Sequence, residues 1–436
     1  MADSSKRSNK WRSSDEDGDE DDHDGQNDNL LRLVDEKHPE ASSFAQLLKA
    51  VFLPDGYPDS VSADYASYQR WDTLQAFCSS INGSLATLAV LKGVGVGDET
   101  ATATAAAVSW MLRDGVGMLG RIFFAWQKGP ALDANAKRWR LVADIFNDLA
   151  MFVELLSPLV GEWFLAFACL GSVLRSIVGV AGGATRAAIT QHQARRNNHG
   201  DVSAKDGSQE TLVNLAALLV SLWLLPALGS DHPTLVWLLF CSFTSLHLFA
   251  NYRGVRATVF DTFNRERLFI VASDYMQRPS AATTLTPRLT AEQERFLLFR
   301  EPLTIDLGAQ LKSCSAASQE LFQHGAQLAH PFILYSENST TARILLSDAA
   351  SNSDQICSFA AAYFQLAIDP SRPGPAHTKA LRDALRSRNS ARIQLESVRL
   401  AQTMLESAAR AGWDLSRSAL MPSEWRWTTS VTPKRG

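Results

Sequence analysis

The sequence predicts a mainly α chain: a helical membrane-associated bundle, a smaller C-terminal α+β domain and a disordered acidic N-terminal tail. Three observations predict it. Of the 46 acidic residues, 10 lie in the first 28 positions, where only 4 of the 42 basic residues fall. Two runs of 17 residues without Asp, Glu, Lys or Arg, Leu212–Leu228 and Thr234–Ala250, follow one another across five intervening residues. Beyond residue 300 the pattern changes to short strand-like runs alternating with helical ones.

A length of 436 residues suggests two or three domains. The expected division is a tail at 1–42, a helical core at 43–270, a linker at 271–300 and an α+β domain at 301–436. Without the first 28 positions the chain holds 38 basic and 36 acidic residues, a balance of +2 against -4 for the whole. A basic nucleic-acid binder is excluded, because its affinity would need many unpaired Lys and Arg side chains facing phosphates. Uniform disorder is excluded by the abundant Leu, Phe and Trp of the body. Five scattered cysteines without a CxxC pair argue against a disulfide framework or a zinc cluster, and fit a reducing compartment.

The tail has no apolar run, so it is not a secretory signal peptide. Lys6, Arg7, Lys10 and Arg12 lie among serines as in an organelle presequence, but the acidic stretch Asp15–Asp22 follows at once and presequences avoid acids. A solvated, self-repelling segment is expected.

The two apolar runs read as a helical hairpin. Each spans about 25 Å at 1.5 Å per residue, slightly short of a hydrocarbon core of about 30 Å. Arg186, Arg195, Arg196 and Lys205 precede the pair and Arg253, Arg256, Arg265 and Arg267 follow it. Both flanks are therefore expected on the cytosolic or equivalent face of a membrane, compartment unspecified. A hairpin buried in a large soluble helical core is the alternative. A third apolar segment, Pro158–Leu174, contains Glu162, whose burial in a spanning helix would cost about 2.5–3.5 kcal/mol.

Several motifs look chemical. Gly115-Val116-Gly117-Met118-Leu119-Gly120 is a literal GxGxxG, but a helical stretch precedes it where a dinucleotide fold needs a strand. Small residues for close helix packing are the economical account. The glycine loop ending at Asp98 lacks the Gly-Lys-Ser/Thr of a phosphate loop, and Asp98 is expected to cap a helix. Arg140, Asp144 and Asp148 recur every four residues, beside an apolar face of Leu141, Ile145, Leu149 and Phe152. That charged face is either a solvated salt-bridge ladder or, turned into a bundle, a ligand or ion site. His192, His199 and Lys205 are expected in a polar loop with Arg186. There is no HExxH, no metal-ligand spacing and no GxSxG elbow.

In the last third, Phe332–Ser336 and Arg343–Leu346 are expected as strands, Asp354–Ala367 as a helix, and His377–Ala411 as one longer helix. Trp413, Trp425 and Trp427 are expected to pack on this domain.

The ordered motifs carry a resemblance. Phe52-Leu53-Pro54-Asp55-Gly56-Tyr57-Pro58-Asp59-Ser60-Val61 leads into Asp64-Tyr65, Tyr68-Gln69 and Trp71-Asp72. Gly95–Asp98, Asp114–Arg121 and Trp139–Asp148 follow, then Thr185-Arg186, His192, Asp201, Lys205, Ser208–Thr211 and Asn251-Tyr252. Over roughly Ser43–Arg267 this resembles the root UV-B sensitive family of plants, fungi and animals. The resemblance implies a membrane-associated helical protein linked to vitamin B6 homeostasis and to UV-B and developmental responses. It also implies complexes with a second copy or another family member. It assigns no reaction and no catalytic residue, and the acidic tail departs from the presequences of plastid-directed members.

Two functions are therefore expected in competition. One is a non-enzymatic membrane protein in transport, scaffolding or sensing, with a lipid bilayer as partner and Asp98, Asp114, Arg121, Asp144 and Asp148 lining a pathway or pocket. The other is a soluble or peripheral enzyme or binding protein for a small phosphorylated metabolite such as a B6 vitamer. There Arg121, Arg186, His192 and Lys205 supply cations, pyridoxal phosphate being the ligand to consider. No cofactor or metal is implied.

Overall fold

The computed structural model describes residues 43–93, 103–228, 232–278, 280, 282–297, 300–313 and 331–428. The tail at 1–42, Asp98 with residues 94–97 before it, the hairpin turn at 229–231 and Cys314 lie outside the described residues. From Leu48 onward the described chain forms one compact unit. It is mainly helical, with small sheets confined to its later part.

The order begins with α1 (Ser43–Phe52), α2 (Tyr65–Gly93), α3 (Ala103–Ala134), α4 (Ala136–Leu156), α5 (Phe164–Gln193), α6 (His199–Leu228) and α7 (Pro233–Ala257). Helix α2 packs against α4, α6 and α7, while α5 packs against α3 and α4. The proline-rich segment before α2 is tied to the end of α5: the Ser62 amide donates to the Gln193 carbonyl at 2.9 Å, and that of Arg195 to Ser60 at 3.1 Å.

The hairpin helices are longer than their apolar runs. Helix α6 has 30 residues and α7 has 25, about 45 and 37 Å at 1.5 Å per residue. Four helices, at 65–93, 161–193, 199–228 and 233–257, are long and apolar enough to cross a membrane. The expected polar loop around His192 and Lys205 is in fact the two helix ends, joined only through residues 194–198. Its polar residues stay helical because they pair across helices, Arg186 Nε reaching Asp206 Oδ2 at 2.6 Å. Glu162 falls in the exposed turn that opens the 161–193 segment, ahead of α5 rather than within it.

Helix α3 runs unbroken through GxGxxG. A Cβ on Gly117 would stand 2.4 Å from Ser172 Oγ, and one on Gly120 3.0 Å from Ser176 Oγ. The glycines thus let α3 approach α5 closely.

The later part comprises β1 (Thr262–Asn264), α8 (Arg265–Gln277), α9 (Pro287–Gln293), β2 (Thr304–Leu307), β3 (Phe332–Ser336) and β4 (Thr341–Leu346). Helices α10 (Asn352–Ala367), α11 (Lys379–Ser387) and α12 (Ser390–Arg410) follow, and β5 (Asp414–Ala419) closes the order. One sheet has the order β2-β4-β3, with β2 parallel to β4 (Thr304 opposite Thr341) and β3 antiparallel to it (Phe332 opposite Leu346). Strands β1 and β5 pair in parallel. Helix α10 begins on a reciprocal cap between Ser351 and Asp354. The single helix expected over His377–Ala411 is broken: Arg388 adopts a left-handed φ of 52°, and Asn389 caps α12 by accepting from the Arg392 amide. The core of this part joins Phe263, Tyr275, Ile344, Phe359, Phe364 and Met404. Trp413 stacks on Phe263 at 4.1 Å between ring centroids, and its indole N–H donates to the Leu285 carbonyl at 2.8 Å. Trp425, against expectation, is exposed.

Candidate functional site

Helices α2, α4 and α7 turn polar stripes toward one another. On α2, Asp72, Gln75, Ser79 and Asn82 recur at spacings of three or four residues. Thr244, His247 and Asn251 do so on α7, as do Arg140, Asp144 and Asp148 on α4, with Asn147 three residues after Asp144. Such spacing places each set on one helix face.

The three faces form one buried network. Arg140 Nη2 donates to Asp72 Oδ1 at 2.9 Å and to Gln75 Oε1 at 3.3 Å. Gln75 Nε2 donates to Asp144 Oδ2 at 2.7 Å, and Asn251 donates to the same oxygen. His247 Nδ1 lies 2.8 Å from Asp148 Oδ2, and its Nε2 lies 3.4 Å from Gln75 Nε2. Farther along, Asn82 Nδ2 donates to Thr244 Oγ1 at 2.9 Å. Asp144 and Asp148 are only 7% and 5% exposed, so the charged face of α4 is not a solvated ladder. Its apolar neighbours Ile145, Leu149 and Phe152 are the exposed side. Charges that cost several kcal/mol to dehydrate are held by mutual pairing, yet Asp148 Oδ1 and Arg140 Nε are buried with no hydrogen-bond partner.

Beside the network lies a cavity of about 340 Å³. Asp72, Gln75, Ser79, Arg140, Asp144 and Asn147 line one side, and Arg186, Glu210 and Asn214 the other. Three carboxylates against two guanidiniums leave the lining at -1. Arg186 is already engaged by Asp206 and Glu210.

The other expected residues scatter. Asp114 and Arg121 are exposed on α3, apart from the α2–α4–α7 network, with the Arg121 guanidinium beside Gly179 of α5. Lys205 donates to the Ala50 carbonyl. His192 sits in a separate cluster, with Nε2 3.0 Å from Asp64 Oδ2 and Nδ1 3.7 Å from Asp261 Oδ1. Burial alone would raise the Asp64 carboxyl, but the hydrogen bond and charge of His192 outweigh it and hold it below the ordinary range. Asp261 is likewise held down, burial being outweighed by His192 and Arg195. A cleft of about 380 Å³ opens beside His192, between Phe260 and β5. The four cations proposed for a phosphate thus do not converge.

A third cluster joins Lys137 and Arg267 to Glu294, with Arg267 Nε 2.7 Å from Glu294 Oε1. Burial would raise the Glu294 carboxyl, but the two cations bring it below its usual value. No group of three or more His, Cys, Asp or Glu side chains fit to hold a metal occurs among the described residues.

Sequence reasoning singled out Arg140, Asp144 and Asp148 but not Gln75 or His247 as their partners. The signal was available, as polar residues at helical spacing inside otherwise apolar helices.

Residues 38–279 match the family model described as a vitamin B6 photo-protection and homoeostasis domain. Residues 284–429 match that of the root UVB sensitive protein C-terminal region. RUS family member 1 of Dictyostelium discoideum is 46% identical over 65% of this chain and 53% of its own length. Protein root UVB sensitive 3 of Arabidopsis thaliana is 45% identical over 56% of this chain and 55% of its own. The chloroplastic protein root UVB sensitive 2 of the same plant is 29% identical over 57% and 56%. The chain therefore spans about half the length of the curated relatives it matches. No solved structure matches.

Proposed function

This chain belongs to the root UVB sensitive family, and from that premise we propose that it is a non-enzymatic integral membrane protein binding and passing a small polar solute. The observation that carries the proposal is an inverted polarity. The Asp144 and Asp148 carboxylates and the His247 imidazole are buried between α2, α4 and α7, with the Arg140 guanidinium largely enclosed beside them. Leu218, Leu219, Leu222 and Trp223 of α6, with Leu235 and Leu238 of α7, face outward. Contiguous exposed apolar surface of this kind suits a lipid environment, and ionisable groups inside such a bundle mark a solute or ion path. The basic flanks of the hairpin would lie on the cytosolic or equivalent face.

The solute class follows from the cavity. A volume of about 340 Å³ suits a small molecule. Its net negative, hydrogen-bonding lining favours a cationic or zwitterionic solute over a phosphate ester. With a domain named for vitamin B6, the unphosphorylated vitamers are the first solutes to test. The phosphorylated reading draws no support from Arg121, Arg186, His192 and Lys205, which do not share a pocket.

Carbonate extraction of membranes carrying the full chain tests the location, and appearance in the soluble fraction would defeat it. Vesicles carrying the protein are expected to take up pyridoxine or pyridoxamine saturably, and pyridoxal phosphate far less. Asp144→Asn is expected to lower uptake about tenfold or more, the loss of a charge-assisted contact. Equal permeation in empty vesicles would sink the transport claim.

A further inference from the structure

A second recess borders the polar cavity at Ser80 of α2 and joins a charged floor to apolar walls. It measures about 670 Å³. Ser84, Thr87, Leu88 and Leu91 of α2 form one wall, and Trp110 of α3 and Leu225 of α6 stand opposite. Its floor is Glu154 of α4, gripped from two sides. Arg113 Nη2 lies 3.0 Å from Glu154 Oε1, and Arg175 Nε lies 2.8 and 3.0 Å from the two carboxylate oxygens. Gly171 makes room for that carboxylate, since a Cβ there would stand 2.9 Å from Glu154 Cγ.

Two guanidiniums on one carboxylate leave a surplus positive charge. The Glu154 side chain is 2% exposed and that of Arg113 15%, whereas Arg175 stays 35% exposed at the rim. Arg113 Nε is buried without a hydrogen-bond partner, and the guanidinium lies 4.7 Å from the Trp110 ring centroid. Both guanidiniums share the single Glu154 carboxylate, so the cluster carries one positive charge in excess, which an anion at the accessible Arg175 would balance. The leucines and Trp110 above it call for a chain.

We propose that this recess is a binding site for one membrane lipid with an anionic phosphate headgroup, its phosphate at Arg113 and Arg175 and an acyl chain along Leu88, Leu91 and Trp110. The site rests on the membrane reading above but is independent of the solute cavity. Guanidinium forks match phosphate oxygens bidentately, and a basic recess between helices is a recognised lipid-headgroup setting.

The test uses the full-length protein in neutral detergent, with dioctanoyl phosphatidylglycerol, dioctanoyl phosphatidylcholine and glycerol phosphate added separately. Thermal unfolding and native mass spectrometry are the readouts. Phosphatidylglycerol is expected to raise the Tm and to be retained as a single copy, phosphatidylcholine and glycerol phosphate much less, because the site takes charge and chain together. Arg175→Gln is expected to weaken phosphatidylglycerol retention about tenfold or more. Thr87→Asp, on an exposed position of the wall, does the same by repulsion and covers the case in which Arg175→Gln misfolds. Equal stabilisation by phosphatidylcholine, or unchanged preference in both variants, would overturn the site. Stabilisation by glycerol phosphate as strong as by the lipid overturns the lipid in favour of a soluble phosphate. Carbonate extraction separates the two ideas. An integral protein without lipid preference loses this site alone, whereas an extractable protein that still binds the anionic lipid through Arg175 loses only the membrane reading.

Discussion

Helices α2 to α7 bury Asp144, Asp148, Glu154, Asp206 and His247 and expose Leu212, Leu219, Leu222, Trp223 and Phe249. After residue 300 the pattern is reversed. There Ile305, Phe332, Ile344, Phe359, Phe364 and Met404 are buried, and among the described residues only Leu395 and Trp425 are exposed large apolar side chains. Arg382 is the one charged side chain buried in that region among the described residues, and it donates to the carbonyls of Gly374 and Pro375. The later part is arranged for water, with apolar area withdrawn from solvent. The helical part has the arrangement that the proposed membrane setting would favour, with apolar side chains outside and charges inside. One chain with a mean hydropathy of -0.09 thus averages two opposite arrangements.

The largest expected effect breaks the water-type half. Phe364→Ala removes a fully buried ring from between Tyr275 and Tyr363, at a cost of about 3–5 kcal/mol. Limited proteolysis should then cut the region after residue 300 while α2 to α7 resist. Parallel loss of both regions would show that the two do not hold their folds independently. Next comes the sharpest contrast between the halves. Leu219→Lys on the outer side of α6 should cost about 2.5–3.5 kcal/mol near a bilayer centre. The same exposed change in water should lie within about 0.5 kcal/mol. Stability measured in lipid vesicles decides between them, and a near-zero effect would break the comparison.

The water-type half was the more legible in sequence. Phe332–Ser336 and the helix after Ser351 follow from a short apolar run and a capping box that need no distant partner. The break at Arg388 and Asn389 was hidden because Arg at a left-handed position is uncommon, and only Asn389 signals a cap. In the helical half, the four-residue spacing of Arg140, Asp144 and Asp148 was plain, but spacing cannot tell whether a charged face meets water or protein. That decision lay with Gln75, His247 and Asn251, at separations of 65 to 111 residues from Arg140, where no local pattern reaches. The polar ends of α5 and α6 look like a loop in sequence for the same reason, since Arg186 and Asp206 stabilise helix only through one another.

A smaller effect probes the inverted half from within. Asn251→Ala removes one of the donors to Asp144 Oδ2 and leaves Gln75 as the nearest replacement. A buried carboxylate deprived of a donor costs about 1–3 kcal/mol. Thermal unfolding in detergent should fall accordingly, and Asn251→Asp should fall further through like-charge repulsion with Asp144. An Asp variant as stable as the parent would show that the network is open to water.

The smallest effect at neutral pH concerns the junction, where Asp64 and Asp261 flank His192 and the Val259 amide donates to Asp64 Oδ2 at 2.6 Å. Both carboxyls are held below their ordinary range in the fold. Their stabilisation is therefore complete above the unfolded value of about 3.9 and is lost as pH falls through the lower folded values. Hydrogen exchange at Val259, corrected for its intrinsic pH dependence, should stay slow from pH 7 to about 4 and accelerate below that. Asp64→Asn removes the titrating group, so its exchange should be faster at neutral pH and nearly flat across the acid range. Slow exchange in the parent that persists well below the unfolded carboxylate value would mean that the amide is protected by the packing of Phe260 rather than by the ion cluster. The junction would then belong with the apolar arrangement of the later half.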